Sequence, residues 1–571
     1  MSRLPRRSRS GGSVLSFLLL VVIAMASFAQ TPTARFKNFQ APTPDRNGRK
    51  SILKGADASH IGNGIFHIIG PHVETYKPDD SIDMTIDATE CLFDKDNSKD
   101  VWSEKDLSMK TADGRLSLKG VGFRWISTES RLVVSNQVEA VIARDTLAQG
   151  AAGAQQPSTN TLKVTSKAMD YRPDLIVFYG DVHVVDAQGE VRCQTLKVRY
   201  DERNTLQEVE ALDDVTLTQE QTQAHGRRAL YSPTSGLLRL YENTTWRMAD
   251  RHGSSELLIL DRTNNTIRAE TKVRMTFPST LLATNSPGQA APTNRAEVTI
   301  AAETFDYAPT NALSHGPIAI FNGDVHAIDP QATLDCQLLT IFFNQTNKLV
   351  RAVADREVQI SRPDTKINGP RAVFENDEVT VDQPKWKLQD RTGSSDTLTF
   401  NPRTREAHAA HNVRMLIPFS SATNFLLTAT NPQSTNGAPQ LTTNLLLITA
   451  EFFTNKNDVA TFSQNARASE PRGQIDANLL SVEFGSSNQV ARIIADGDVI
   501  LTEQKSQAIA QRAVYDRATE KIRLTGLPRV HSEGNRIIAR EIIFDRNSGK
   551  FHYLAPYRVE VHRGTNSIAV K

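Results

Sequence analysis

Cysteine is almost missing from this chain: Cys91, Cys193 and Cys336 are the three in 571 residues. That is too few for a disulfide framework. The 13 histidines show no H-x-x-x-H spacing and no C-x-x-C pair accompanies them, so neither a metal nor a cofactor is expected. Net charge is only +2, with acids and bases interspersed. No large basic patch results, which excludes nucleic acid as a partner. Past the N-terminus no apolar run approaches the ~20 residues that span a bilayer as a helix. A sustained helical period is missing as well. Asp and Glu are scattered over turns rather than gathered in one groove, which disfavours a polysaccharide-active enzyme.

The N-terminus differs from the rest. Arg3, Arg6, Arg7 and Arg9 precede an apolar stretch from Val14 to Ala26, and Ser27-Phe28-Ala29 supplies small residues after it. This is the layout of a secretory signal cut after Ala29, with an uncleaved anchor as the competing reading. Either way the remainder is expected outside the cytoplasm. Residues 30–55 are polar, contain Pro42, Pro44 and Gly48, and read as a linker.

What the chain does have is repetition. Gly180-Asp181-Val182 returns 143 positions later as Gly323-Asp324-Val325. At the same offset Cys193 meets Cys336, Tyr200 meets Phe343, Val215 meets Val358 and Tyr231 meets Phe374. At an offset of 140, Trp246 meets Trp386, and Asp250-Arg251-His252-Gly253-Ser254-Ser255 meets Asp390-Arg391-Thr392-Gly393-Ser394-Ser395. A finer step of about 30 residues runs inside the large one, through Val182, Val215, Trp246 and Val273. Repetition of this kind points to stacked units rather than to one catalytic pocket.

Inside the repeats the period is two. Leu196, Val198 and Tyr200 alternate with Lys197 and Arg199, and Val182 and Val184 flank His183. Such alternation marks half-buried strands. Breaks rich in Ala, Pro, Gly, Ser, Thr and Asn at 145–160, 277–296 and 417–443 divide the chain. The expected modules are 56–144, 161–276, 297–416 and 444–563, and Ala140–Ala154 reads as a short helix. The fold class is all-β: stacked two-sheet modules with apolar side chains between the sheets. Gly-Asp-Val reads as a structural mark near the start of a strand, with Gly for a bulge or tight turn and Val for the core. Trp246 and Trp386 read as core anchors. Asp-Arg-x-Gly-Ser-Ser lacks the strand–elbow–helix setting of a nucleophile and reads as a turn. The equivalent Cys193 and Cys336 read as buried small hydrophobes.

Phe178-Tyr179-Gly180-Asp181-Val182-His183, followed by Tyr200-Asp201 and then by Val209-Glu210-Ala211 and Asp214-Val215, resembles the OstA-like (organic solvent tolerance) family, which includes the periplasmic bridge proteins of lipopolysaccharide transport. The phrase recurs as Phe321-Asn322-Gly323-Asp324-Val325 and as Ala495-Asp496-Gly497-Asp498-Val499 with Tyr515-Asp516. The first module, through Asp113-Gly114-Arg115-Leu116, Lys119-Gly120-Val121-Gly122-Phe123 and Asn136-Gln137-Val138, is similar to the membrane-proximal member of that system. The sequence departs from the pattern at Asp213-Asp214-Val215 and Arg356-Glu357-Val358, which lack the Gly.

The resemblance implies a V-shaped β-jellyroll with an apolar interior that holds lipid acyl chains. It implies a non-enzymatic periplasmic carrier for lipopolysaccharide or a related lipid. Expected groove residues are Val182, Val184, Leu196, Val198, Val215, Val325, Val358 and Val499. Expected partners are the lipid, other bridge proteins that add to an open end strand, and inner- or outer-membrane proteins. From the residues alone the interior is either a closed core or a groove. An exported β-solenoid scaffold or adhesin remains the alternative.

Overall fold

The computed structural model describes residues 34–44, 50–143, 161–278, 297–309, 316–419 and 444–570, apart from turn positions 202–204, 221, 347, 471–472, 486–488, 504–505, 533, 547, 549 and 564–565. The signal segment 1–29 and most of the three breaks lie outside these residues. Among the described residues there are 38 strands and one 3-10 turn, Ser127–Glu129. The all-β reading is met. Ala140–Ala143, the start of the expected helix, is the end of the strand Arg131–Ala143. No helix among the described residues is long and apolar enough to cross a membrane. The chain divides after Val134 into two compact units.

The first unit shows why residues 30–55 are not all linker. Arg35–Pro44 forms a strand antiparallel to Lys50–Gly62. Phe36 and Phe39 bring their rings to within 6.1 and 5.6 Å of Phe66, and Phe39 lies 6.1 Å from Phe93. Two aromatics at a spacing of three give the polar stretch an apolar anchor. The core beneath holds Leu53, Ile68, Met84, Phe93 and Trp125, all nearly inaccessible.

The second unit is one antiparallel ladder in which successive strands pair. Pairing runs straight across the breaks: Thr161–Ser166 pairs with Arg131–Ala143, Glu297–Ala308 with Thr266–Pro278, and Asn444–Lys456 with Ala407–Phe419. The breaks therefore join neighbouring strands of one ladder and do not separate modules 161–276, 297–416 and 444–563 into independent bodies.

Every second strand is bent near its middle. In Leu175–Asp186 the register shifts between Tyr179 and Val182, where Gly180 and Asp181 have φ of 74° and 47°. Two residues there oppose one across the ladder, which is a β-bulge. The same left-handed pair recurs as Asp213-Asp214, Glu242-Asn243, Thr271-Lys272, Gly323-Asp324, Arg356-Glu357, His411-Asn412, Gln464-Asn465 and Gly497-Asp498. Gly-Asp-Val thus sits at mid-strand, not at a strand start. Only two of its residues need positive φ, and Asp, Asn or even Arg fill them at a cost of about 1–2 kcal/mol each.

After each left-handed pair comes a buried residue: Val182, Val215, Thr244, Val273, Val325, Val358, Val413, Ala466 or Val499, none more than 2% exposed. Opposite it stands a small one. Val182 faces Cys193, Val215 faces Gly226, Thr244 faces Ser255, Val325 faces Cys336, Val358 faces Gly369 and Val499 faces Ala510. A small residue eleven positions after the bend lets the chain turn sharply there. At Gly369 an added Cβ would lie 2.7 Å from the Asp382 carbonyl oxygen.

Candidate functional site

The bends form a row, and the ladder folds along it. Phe305 lies in the register row Leu240–Leu258–Ala269–Phe305 before the bends. Trp246 lies beyond them, in the row Trp246–Gly253–Met275–Ile300. Yet the two rings stack with centroids 6.2 Å apart. The halves on either side of the bends therefore face each other as two arms. Trp386 and Phe453 repeat the contact at 6.4 Å.

The repeated Asp-Arg-x-Gly-Ser-Ser builds this cross-arm pillar. It is strand rather than turn: Arg251–Asp261 begins at its Arg. Gly253 lies directly against the indole, since a Cβ there would come within 2.4 Å of Trp246, and Gly393 stands the same way against Trp386. The Ser255 hydroxyl bonds to Thr244 Oγ1 at 2.8 Å. The Arg251 guanidinium sits 4.0 Å over the Phe343 ring on the other arm, and Arg391 sits 3.9 Å over Phe484. Burial lowers the pKa of both arginines.

Beside the pillars, among the described residues, lie two apolar clefts at equivalent places in the repeat. The cleft of the second module holds about 70 Å³ and is lined by Val184, Leu196, Val209, Leu217 and Tyr231, with Asp186 and Arg262 at its mouth. The cleft of the third module holds about 130 Å³ and is lined by Ala327, Leu339, Ala352, Ile360 and Phe374, with Asp329 and Pro402 at its mouth. Each residue named here for one cleft is the repeat mate of one named for the other. In the larger cleft Ala stands in place of Val at two of these pairs, 184/327 and 209/352. An apolar cavity near 150 Å³ stays dry and takes up benzene-sized guests.

All eight expected groove residues are buried. Val182, Val215, Val325, Val358 and Val499 stand at the bends. Val184, Leu196 and Val215 line the smaller cleft, and none of the eight lines the larger one. Sequence reasoning missed Leu339, Ala352 and Phe374, although each is the repeat mate of an alternating apolar residue in the second module. Cys91, Cys193 and Cys336 are free and buried, and burial pushes their thiols up to about 12. Among the described residues no group of three or more His, Cys, Asp or Glu could hold a metal. Outside the bends the row carries polar pairs, such as Lys167 with Asp181 at 2.6 Å and Lys272 with Glu256 at 3.0 Å.

Residues 163–267 and 449–550 match the family model of the LptA/(LptD N-terminal domain) LPS transport protein. Among solved structures the chain is similar to LptH, the LptA-homologous periplasmic component of the lipopolysaccharide transport device from Pseudomonas aeruginosa. Identity is 14%, over 23% of this chain and 90% of that one, with a TM-score of 0.18. No curated protein matches. Residues 163–267 and 449–550, which hold most of two bulged and folded stretches of the ladder, are thus the parts of the chain similar to the LptA/LptD N-terminal domain family of LPS transport proteins.

Proposed function

We propose that this chain is an exported, non-enzymatic carrier that shields lipopolysaccharide acyl chains between its two arms on their way to the outer membrane. The observation that carries the proposal is the folded ladder itself. Its inner face is apolar over most of the second unit, and its two clefts have almost entirely apolar walls. A twelve-carbon chain left in water costs about 10 kcal/mol at ~0.8 kcal/mol per CH₂, and such an interior offsets that cost without any placed polar group. The residue pattern of 1–29 supports export, and the open ends of an antiparallel ladder suit strand addition by partner bridge proteins.

One observation favours the scaffold reading instead: outside the clefts the interior is filled by side chains, and the pillars cross it. Acyl chains then require the arms to part. Native mass spectrometry of protein purified from cells distinguishes the two. The carrier reading expects retained lipid of lipopolysaccharide mass. Protein that is always lipid-free, whatever the detergent, favours the scaffold.

A further inference from the structure

Elsewhere on the ladder many outward charges pair across neighbouring strands. Arg467 meets Asp476, Arg512 meets Asp496 at 3.2 Å and Arg371 meets Asp355 at 3.5 Å. One face of the third module departs from this. Lys366, Lys385, Lys387 and Arg414 are exposed. Their strand neighbours Ile367, Trp386 and Met415 are buried, so the four point outward. Among the described residues none of the four has an ion pair. Lys366 stands directly opposite Lys387. Lys385, one row nearer the bends, faces Ser394, which in turn faces Arg414. Like charges placed opposite each other destabilise a sheet. Asp364 and Asp390 belong to the turns at the arm's tip and form no ion pair with these cations.

Beside the cations the same face is apolar. Leu416, two residues past Arg414, is 37% exposed, and Leu445 is 52% exposed. Leu447 stands opposite Leu416, and Pro418 opposite Leu445. The equivalent face one repeat earlier keeps two cations, Arg247 and Arg274, and loses the rest. There Gln223 and Thr245 take the places of Lys366 and Lys385. Thr276 and Thr299 share a hydrogen bond at 3.2 Å where Leu416 and Leu447 stand. Glu297, opposite Pro278, takes the place of Leu445. The third module has thus gained cations and exposed leucines together.

We infer that this face, with the strand that follows it, docks on an anionic phospholipid surface. It crosses five neighbouring strands, from Thr365–Glu375 to Asn444–Lys456, and at ~4.8 Å per strand it extends over about 20 Å. Lysine is a hydrated point charge that suits a head-group layer without fixed partner geometry, whereas protein interfaces favour Arg and are poor in Lys. The leucines enter the layer beneath the head groups, as the apolar face of an interfacial helix does. A net charge of +2 conceals the cluster, because its members come from three separate strands. The inference goes beyond the carrier proposal and does not rest on it.

The test is flotation of the purified full-length protein with phosphatidylcholine vesicles containing about one-third phosphatidylglycerol, against vesicles of phosphatidylcholine alone. An environment-sensitive dye on Leu416→Cys reads contact at the face itself, and the same dye on Thr276→Cys is the reference. The native thiols are buried and stay unlabelled. The dye at position 416 is expected to shift to the blue with the anionic vesicles and not with the neutral ones, and the dye at position 276 to stay unchanged with both. Lys366→Gln, Lys385→Gln and Lys387→Gln should each weaken binding about fivefold, and together about a hundredfold. Leu445→Ser should weaken it while leaving its salt dependence. Circular dichroism confirms that these exposed substitutions keep the fold. Equal binding of both vesicle types, an unshifted dye at position 416, or a triple lysine variant that binds like the parent overturns the inference. Polyglutamate bound through the three lysines, with the vesicles ignored, overturns it in favour of an acidic protein partner. None of these results bears on lipid retained between the arms, so the docking face and the carrier reading fail separately.

Discussion

Gly253→Ala sets two effects of opposite sign against each other. Gly253 is an ordinary strand position opposite Trp246. On the unfolded chain alone, Ala in place of Gly stabilises by about 0.4–1 kcal/mol. In the fold, the new Cβ would lie 2.4 and 2.5 Å from Cζ2 and Cε2 of the indole. Carbon atoms rest at ~3.5–4.0 Å, so the ring would have to withdraw by roughly 1 Å. It has nowhere to go, since Trp246 is 2% exposed and stacks on Phe305 behind it. Overpacking of this kind costs about 1–3 kcal/mol. The net expectation is destabilisation by about 0.5–2 kcal/mol. Urea unfolding followed by tryptophan emission reads the change. Exchange of the amides in 244–257 reads it locally, as a long ladder requires. A Trp246→Leu background removes the clash, and there Gly253→Ala should be neutral or stabilising. If Gly253→Ala raises stability with Trp246 in place, the pillar is packed differently from this account.

Thr271→Gly relieves a β-branched residue of φ 65° at an exposed bend. It should raise the free energy of unfolding in urea by up to about 1 kcal/mol, and a loss would mean that the bend is held by the Thr side chain. Glu74, in the first unit, is kept below its ordinary pKa of 4.5 by hydrogen bonds from Lys54 and Tyr76, which outweigh its burial. Because the folded value is the lower one, its contribution is full above pH ~4.5 and is lost as pH falls through the folded value. Glu74→Gln should therefore flatten the acid side of the stability profile and leave its neutral side parallel. Ellman's reagent should find no fast thiol in the native protein and three in urea, since burial pushes Cys91, Cys193 and Cys336 up to about 12.

Strand content was legible because apolar side chains alternate, as at Leu196, Val198 and Tyr200, and pairing into a ladder preserves that alternation. The 143-residue offset was legible too, and it holds down to the mates Asp186 and Asp329. The bends were harder to read. A left-handed pair can be Gly-Asp, Asp-Asp, Thr-Lys or Arg-Glu, so no residue type marks it. The steadier signal is a valine, or at some bends a threonine or alanine, with a small residue eleven positions on, as in Val182 and Cys193. Trp246 looked like the mate of Val215, but Thr244 holds that place and Trp246 stands two residues further along the same face. The clefts were invisible from sequence because their volume depends on which arm residues meet across the fold. That pairing of distant positions, such as Arg251 with Phe343, is set by the bends and not by local pattern.

The central claim is that the face between the arms meets lipid. The most direct measurement is photo-crosslinking in living cells from a probe residue placed at Leu339, Val182 or Val325, with outward His183 as the reference. The account predicts lipopolysaccharide adducts from the inward positions, strongest at Leu339. Adduct yields at all three no greater than at His183 would contradict it.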